Sequence, residues 1–354
     1  MLDIKFNWLR VYRSQNIGPI SFAYLRENYD SEEALSVIEQ NPRIKIPSVE
    51  KIQQEFDEHQ KNGASIISIF DEKKYPKILR HINDPPAFLS VKGNIELLHK
   101  NCFAIVGARN SSIAGRKLAA NFSKELQSKY VIVSGLARGI DAEAHKNSIS
   151  NTIAVLANGI NIIYPEENTD LYEQILSNNG LIISEAPFNT RPTQYWFPSR
   201  NRIIAGLSSG VLVVEAGVNS GSLMTAFYAT SYGRDVYAIP GSPLDSRSIG
   251  TNTLIQKGAI LAHTPEDILH NTSQSTINNS FTEHNHPYSL FTSDNELELK
   301  ESILDLLTYS PISIDTLANY LNKPIQSVRT EIAKLELSGK IEYTYGNTIC
   351  KRVE

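Results

Sequence analysis

Cysteine is almost missing from this chain: two occur in 354 residues, Cys102 and Cys350. They lie far apart and fit no zinc or redox spacing, so neither a structural disulfide nor a metal site is expected, and the pair suits a reducing compartment. Long apolar runs are missing too. No stretch approaches the roughly 18 apolar residues of a membrane-spanning helix. The N-terminus, MLDIKFNWLR, lacks the apolar core followed by small residues that marks a secretory signal. The chain is therefore read as cytoplasmic, with no membrane partner. Positive charge is not in excess, since 34 Lys+Arg face 38 Asp+Glu for a net charge of −4. That excludes a blanket basic coat, so a polyanion would have to meet a local patch.

Catalytic signatures are also absent. There is no H-E-x-x-H, no G-x-S-x-G and no Cys/His cluster. Asp141 and His145, four apart on one helical stretch, can form an ion pair but supply no nucleophile. No catalytic residue, metal or cofactor is expected.

What is present is organised in blocks. A chain of 354 residues is long enough for two or three domains. Residues 1–63 carry helical spacing in NWLRVYRSQNIGPISFAYLREN and SEEALSVIEQ, with Gly18-Pro19 marking a tight turn, loosely like a helix-hairpin-helix or SAM-type domain. Residues 64–100 are punctuated by Pro76, Pro85 and Pro86 and read as a connecting segment. From 102 to 263 the short runs FAIVG, YVIVSG, TIAVLAN, LIISEAP, VLVVEA, DVYAIPG and AILAH alternate with helical text. Strands this apolar on both faces predict a parallel sheet covered on both sides. The domain spans 64–270. Residues 271–295 are polar and aperiodic, a linker. From 296 to 354, three helical segments followed by KIEYTYGNTICKR give the order of a winged helix-turn-helix, with Val328, Ile332 and Leu335 on the buried face of the recognition helix. The fold class is α/β: a parallel-sheet domain with an N-terminal helical domain and a C-terminal winged-helix domain.

In an open parallel sheet, ligands bind beyond the carboxyl ends of the strands. After the first strand, AIVGARNSSIAGRKLA places Gly107, Arg109, Ser111 and Ser112 in a phosphate-loop arrangement, with the serines as N-cap candidates. It matches neither G-x-G-x-x-G nor G-x-x-x-x-G-K-[ST], so dinucleotide and nucleoside triphosphate binding draw no support. After the second, VIVSGLARGIDAEAH offers Ser134, Gly135 and Gly139 for close backbone approach and Arg138 as a fork of donors. FPSRNRIIAGL reads as a helix capped near Ser199. Its Arg200 and Arg202 lie about 200° apart around the axis, so one is expected to meet the ligand and the other to brace Glu185 or Glu215. Arg202 is favoured for the ligand. Asn201 lies between them, Phe197 offers a stacking face, and Tyr195 and Trp196 are expected to be buried. Ser220, Gly221 and Ser222, opening the next helix, form a second candidate anion site, with Gly241, Ser242 and residues 248–252 as a further turn on the same edge.

These residues carry a resemblance. GARNSSIAG (107–115), SGLARGIDAEAH (134–145), VLANGINIIYPEEN (155–168), the run 184–226 and GRDVYAIPGSPLDSRSIGTNTLIQKGA (233–259) resemble, as one ordered series over roughly 65–270, the bacterial DNA-processing protein A family (DprA/Smf). The resemblance implies an α/β fold with an extended Rossmann-like parallel-sheet domain, in a protein without catalytic turnover that binds single-stranded DNA, dimerises, protects incoming DNA and loads RecA during natural transformation, with single-strand-binding protein as a further partner. It implies that Arg109 holds a DNA phosphate, that the SGLARG loop adds Arg138 and backbone contacts, and that Phe197 and the Arg-Asn-Arg run complete the pocket. Two departures stand out: Ala108 and Ala114 occupy positions where the family more often has a serine and an aromatic, and Glu166-Glu167 follow Tyr164-Pro165 where a basic residue is common.

The tail carries seven Lys+Arg against nine Asp+Glu over 296–354. A winged helix gripping duplex phosphates is basic, so a protein-contact or autoregulatory module is expected instead. The alternative function for the whole chain is a nucleotide-processing hydrolase of the phosphoribohydrolase type, whose P-G-G-x-G-T-x-x-E signature is replaced here by EAGVNSGSLMTA.

Overall fold

The computed structural model describes residues 4–275, 299–300, 302–304, 306–307, 312–344 and 348–351. Two compact units are present, one of Gln54–Asn279 and one assembled from Met1–Gln53 together with Ser280–Glu354. The first unit along the chain opens with helices α1 (Ile4–Tyr12), α2 (Pro19–Asn28), α3 (Ser31–Glu39) and α4 (Val49–Lys61), the last running across the boundary. Gly18 and Pro19 do what their order suggests. Pro19 sits at the first turn of α2, where its missing N–H costs nothing. Asp30 and Glu33 close a capping box on α3. Phe22 meets Trp8 and Tyr12 edge-on at 5.3 and 5.0 Å, an arrangement that favours the aromatic quadrupoles.

The Gln54–Asn279 unit is built on nine strands: β1 (Ser65–Ser68), β2 (Phe88–Gly93), β3 (Cys102–Val106), β4 (Val131–Ser134), β5 (Thr152–Leu156), β6 (Leu181–Ser184), β7 (Gly210–Val213), β8 (Asp235–Ala238) and β9 (Ile260–Leu261). Their order is β1-β2-β6-β5-β4-β3-β7-β8-β9. The seven runs expected as strands form its parallel part. The stretch 64–100 is more than a connection. Its runs SIIS and FLSVKG become β1 and β2, which extend the sheet antiparallel beyond β6, and the Tyr75 hydroxyl donates to the Pro86 carbonyl at 2.7 Å to close the intervening loop.

Between these strands run α5 (Lys77–Arg80), α6 (Ile113–Leu126), α7 (Ile140–Lys146), α8 (Thr169–Ser177), α9 (Trp196–Leu207), α10 (Gly221–Ser231), α11 (Ile249–Gln256) and α12 (Glu266–Ser275). One buried cluster joins Ala119, Phe122 and Leu126 of α6 and Ile268 of α12 to Phe103, Ile132, Leu212 and Tyr237 of the sheet. Another joins Leu171, Tyr172 and Ile175 of α8 to Ala154, Leu156 and Ile182. Each large apolar side chain buried in this way contributes about 1.5–3 kcal/mol. From β3 the chain steps to β4, β5 and β6 on one side and later returns to β7 on the other. The reversal leaves a crevice at the carboxyl ends near β3, the place where doubly wound sheets bind ligands.

α12 runs to Ser275, past the expected linker start at 271, and the remainder of the expected linker lies outside the described residues. The tail has β10 (Ile312–Ser313), α13 (Ile314–Leu321), α14 (Ile325–Leu337), β11 (Ile341–Thr344) and β12 (Thr348–Lys351), with the three strands in the order β10-β12-β11. The expected Gly-Asn turn between the last two lies outside the described residues. Val328, Ile332 and Leu335 are buried in its core with Leu317 and Ile341, which is the winged-helix arrangement.

Candidate nucleic-acid interface

A pocket of about 590 Å³ opens over the carboxyl ends of β3, β4 and β5, and its walls carry Arg109, Arg116, Arg138, Lys146 and Arg200 against a single carboxylate, Glu143. Each cation arrives by a local device. The loop after β3 is held by Ser112, which caps α6 by accepting from the Gly115 N–H at 2.8 Å. Glu215, at the exit of β7, accepts from the Ser112 N–H at 2.9 Å and from its hydroxyl. Glu215 therefore braces this loop and not an arginine, because the loop's own donors reach it first. Within the loop, Ser111 is buried and accepts from Arg116 Nε at 3.2 Å. The serine orients a cation and does not line the pocket.

Arg109 lies over the Phe197 ring, 4.7 Å from its centroid. Phe197 in turn faces Tyr164 at 6.2 Å, tilted by 56°. Tyr164 is 40% exposed. The result is a guanidinium plane and two aromatic faces at one mouth, a combination that holds a phosphate and a base side by side.

The loop after β4 is shaped by two glycines. Gly139 has a φ of 76°, in the left-handed region. At Gly135, an added Cβ would lie 1.3 Å from Arg200 Nη1, so only glycine leaves room for that guanidinium. Arg138 on this loop is exposed and pairs with Glu167 at 2.8 Å. Ser134 is fully buried and donates to the Ile105 carbonyl at 2.6 Å. Its place beside Gly135 suggests a ligand group, but its hydroxyl ties β4 to β3 instead. Gly107, intermediate in exposure, precedes Ala108, whose N–H is held by the Glu215 carbonyl at 2.8 Å. It shapes the loop without lining the pocket.

Helix α9 begins at Trp196, not near Ser199, and its N-cap Tyr195 supplies no side-chain hydrogen bond. This phase decides the two arginines. Arg202, buried, donates to Glu185 and to the Asp84 carbonyl, with the Asp84 carboxylate 3.8 Å from Nε. Asp84 also accepts from the Tyr232 hydroxyl at 2.5 Å. Arg200 faces the pocket. Its Nη1 donates to the Val155 carbonyl at 3.3 Å and stands 4.0 Å from Asp141, while its buried Nε has no partner. The expectation that Arg202 meets the ligand is thus reversed: Arg202 is saturated by carboxylates, and Arg200 has donors to spare. Asn201 is turned away, donating to the Gly221 carbonyl at 3.1 Å.

Burial pulls the Arg200 guanidinium down to about 10, opposed by Asp141 and assisted by the Arg109 charge, so it stays cationic at neutral pH. Burial pushes the Asp141 carboxyl up, opposed by Arg200, by the Ala137 and Gly135 N–H groups and by Arg109. His145 is held down to about 3, by burial first and Arg200 second. It is neutral: Nδ1 meets Thr152 Oγ1 at 2.7 Å, while Nε2 accepts from the Leu136 N–H at 3.4 Å. Both ring nitrogens are engaged by the fold, and the pair Asp141/His145 forms no ion pair of its own.

Ser220 and Ser222 bond to each other at 2.7 Å at the start of α10, and neither they nor Gly221 line the pocket. Tyr195 is 61% exposed, against the expectation of burial, and meets Trp196 edge-on at 5.2 Å. Arg116, Lys146 and Tyr164 are pocket residues that motif reading missed. For Arg116 the signal was its spacing, four residues after the capping Ser112.

The deciding comparison covers most of the chain. The family described as DNA recombination-mediator protein A matches residues 66–273, flanked by a DprA-like N-terminal HHH domain at 3–57 and a DprA winged helix domain at 292–347. The chain belongs to the DprA/Smf family. Protein Smf of Escherichia coli is 39% identical over 292 residues, which are 79% of this chain and 75% of that protein. The DNA processing protein DprA of Bacillus subtilis is 44% identical over 59% of this chain and 72% of its own length. Among solved structures, DprA of Streptococcus pneumoniae matches with a TM-score of 0.61 at 36% identity, covering 76% of this chain and 93% of that one. A Helicobacter pylori DprA structure, solved for its single-stranded DNA binding mode, matches with a TM-score of 0.55 at 29% identity over 60% of this chain and 96% of its own. The family is one of DNA recombination mediators, and its extended Rossmann-like, helical and winged-helix parts are those seen here. Among the described residues, no helix is long and apolar enough to cross a membrane.

Proposed function

We propose that the pocket over β3–β5 binds single-stranded DNA, phosphate against Arg109, Arg200 and Arg138, base against Phe197 and Tyr164. The observation that carries this reading is the pairing of a stacked Arg109 with a buried Arg200 whose Nε has no partner. A buried guanidinium short of partners is costly, and a phosphate in the pocket that Arg200 lines offsets that cost. Arg138 exchanges Glu167 for a phosphate as the strand binds. A groove of this kind reads backbone charge and base faces, so binding is tolerant of sequence and sensitive to salt.

The same reading makes the protein a mediator and not an enzyme. Asp141 and His145 are engaged by the fold, and Glu143 is paired with Lys146 at 3.1 Å, so none of these three supplies the free base that the phosphoribohydrolase alternative needs. On this reading the protein acts in the cytoplasm as a homodimer, protects incoming strands, and passes them to RecA in natural transformation, with single-strand-binding protein as a further partner. Anisotropy of a fluorescent oligonucleotide across a salt series tests the pocket. Arg109→Ala and Arg200→Met each weaken binding and flatten the log–log salt slope by about 0.7 per lost phosphate contact. Phe197→Ala loses about 1–3 kcal/mol of stacking without changing the slope. Unchanged affinity in both arginine variants overturns the assignment. Release of free base from nucleoside monophosphates would support the hydrolase instead.

A further inference from the structure

The recognition helix of the winged-helix domain has a neighbour from outside that domain. Helix α14 is flanked by α2 from the opposite end of the chain. Ile20 of α2 packs against the winged-helix core, and the next residue, Ser21, fully buried, donates its hydroxyl to Glu336 of α14. The end of α14 is finished by the same segment. A helix C-terminus leaves carbonyls without intrahelical partners, and it favours positive charge. Here Asn41 donates to the Leu337 carbonyl and Arg43 Nη1 to the Gly339 carbonyl at 3.4 Å. These partners are 296 residues away in sequence.

The chemistry of that helix is equally unlike a duplex reader. Two carboxylates, Glu331 and Glu336, are 4% and 8% exposed, and Lys334 is drawn to Glu331 at 3.6 Å. We propose that this flank of α14 is a protein-docking surface whose occupant is the chain's own N-terminal helical segment, a clasp that commits the C-terminal half of the helix to α2 and leaves Gln326 and Thr330 exposed.

Distance measurement between spin labels in the full chain tests this. Glu27→Cys on α2 and Thr330→Cys on α14 give exposed attachment points, while Cys102 and Cys350 are buried. The expected result is one narrow distance distribution, unchanged when a 30-base-pair duplex is added. Ser21→Glu places a second carboxylate against Glu336 and broadens the distribution. Adding Glu336→Lys to Ser21→Glu restores it, which separates loss of docking from loss of folding. A broad distribution in the parent, no response to Ser21→Glu, no restoration in the double variant, or release of the clasp by duplex DNA would each overturn the proposal.

Discussion

Arg200 and Arg202 are two residues apart on one helix, equally buried, and in opposite situations. Arg202 sits in a nest of Glu185, Asp84 and, through Asp84, Tyr232. Arg200, which lines the cavity, has one carbonyl, one distant carboxylate and a buried Nε without a partner. The first is a charge whose donors are consumed by the fold. The second is a charge with donors left over beside the pocket. Saturation, more than burial or motif, separates the two arginines.

Substitutions sharpen that contrast. The largest expected effect is on stability: Arg202→Met leaves Glu185 buried without its cation and lowers unfolding free energy by about 3–5 kcal/mol. Thermal melting reads the loss, and the folded fraction keeps the parent's salt slope in oligonucleotide binding. Next is Gly135→Ala, whose Cβ takes the place of Arg200 Nη1. Losing a charge-assisted contact of about 1.5–3 kcal/mol weakens oligonucleotide affinity by roughly 10- to 100-fold. Its stability cost is smaller than that of Arg202→Met, because the Asp141 carboxyl is already pushed towards its neutral form. A melt showing the opposite ranking would break the comparison.

A third buried charge extends it. Glu336 faces Ser21 from α2, with Arg43 bound at the neighbouring Gly339 carbonyl. Burial pushes its carboxyl from 4.5 up to about 7, opposed by the Ser21 hydrogen bond. The docked state therefore holds the proton more tightly than the separated state. The clasp is firmest below about 4.5, weakens as pH rises to about 7, and is level above that. Glu336→Gln flattens the profile, measured as the width of the spin-label distance distribution against pH. The smallest effect belongs to the surface pair. Glu167→Gln frees Arg138 and tightens oligonucleotide binding by a few-fold at low salt, since an exposed ion pair contributes about 0–1 kcal/mol.

Much of this was legible in the sequence. Seven parallel strands declared themselves because strands covered on both faces are apolar throughout, with no alternation to confuse them. β1 and β2 did not, being short runs broken by prolines whose place depends on pairing with β6, far along the chain. Arg109 and Arg138 were visible as strand-end residues, and Phe197 as the aromatic ahead of the Arg-Asn-Arg run. The roles of Arg200 and Arg202 were not, because helical phase depends on where α9 starts, and Tyr195 gives no capping signal. Ser134 and Ser220 looked like ligand groups only because their hydroxyls' partners, a carbonyl and another serine, cannot be read from spacing. The clasp had no local signature at all.

One feature of chain layout carries further. Because the unit formed by Met1–Gln53 and Ser280–Glu354 encloses the other along the sequence, the two ripen at different times on the ribosome. The sheet and its pocket can close once α12 has emerged, while α2 waits for α14. At about 5–20 residues per second, the pocket matures several seconds before α2 and α14 can meet, and a truncated product ending before α14 carries a finished pocket with an unclasped α2.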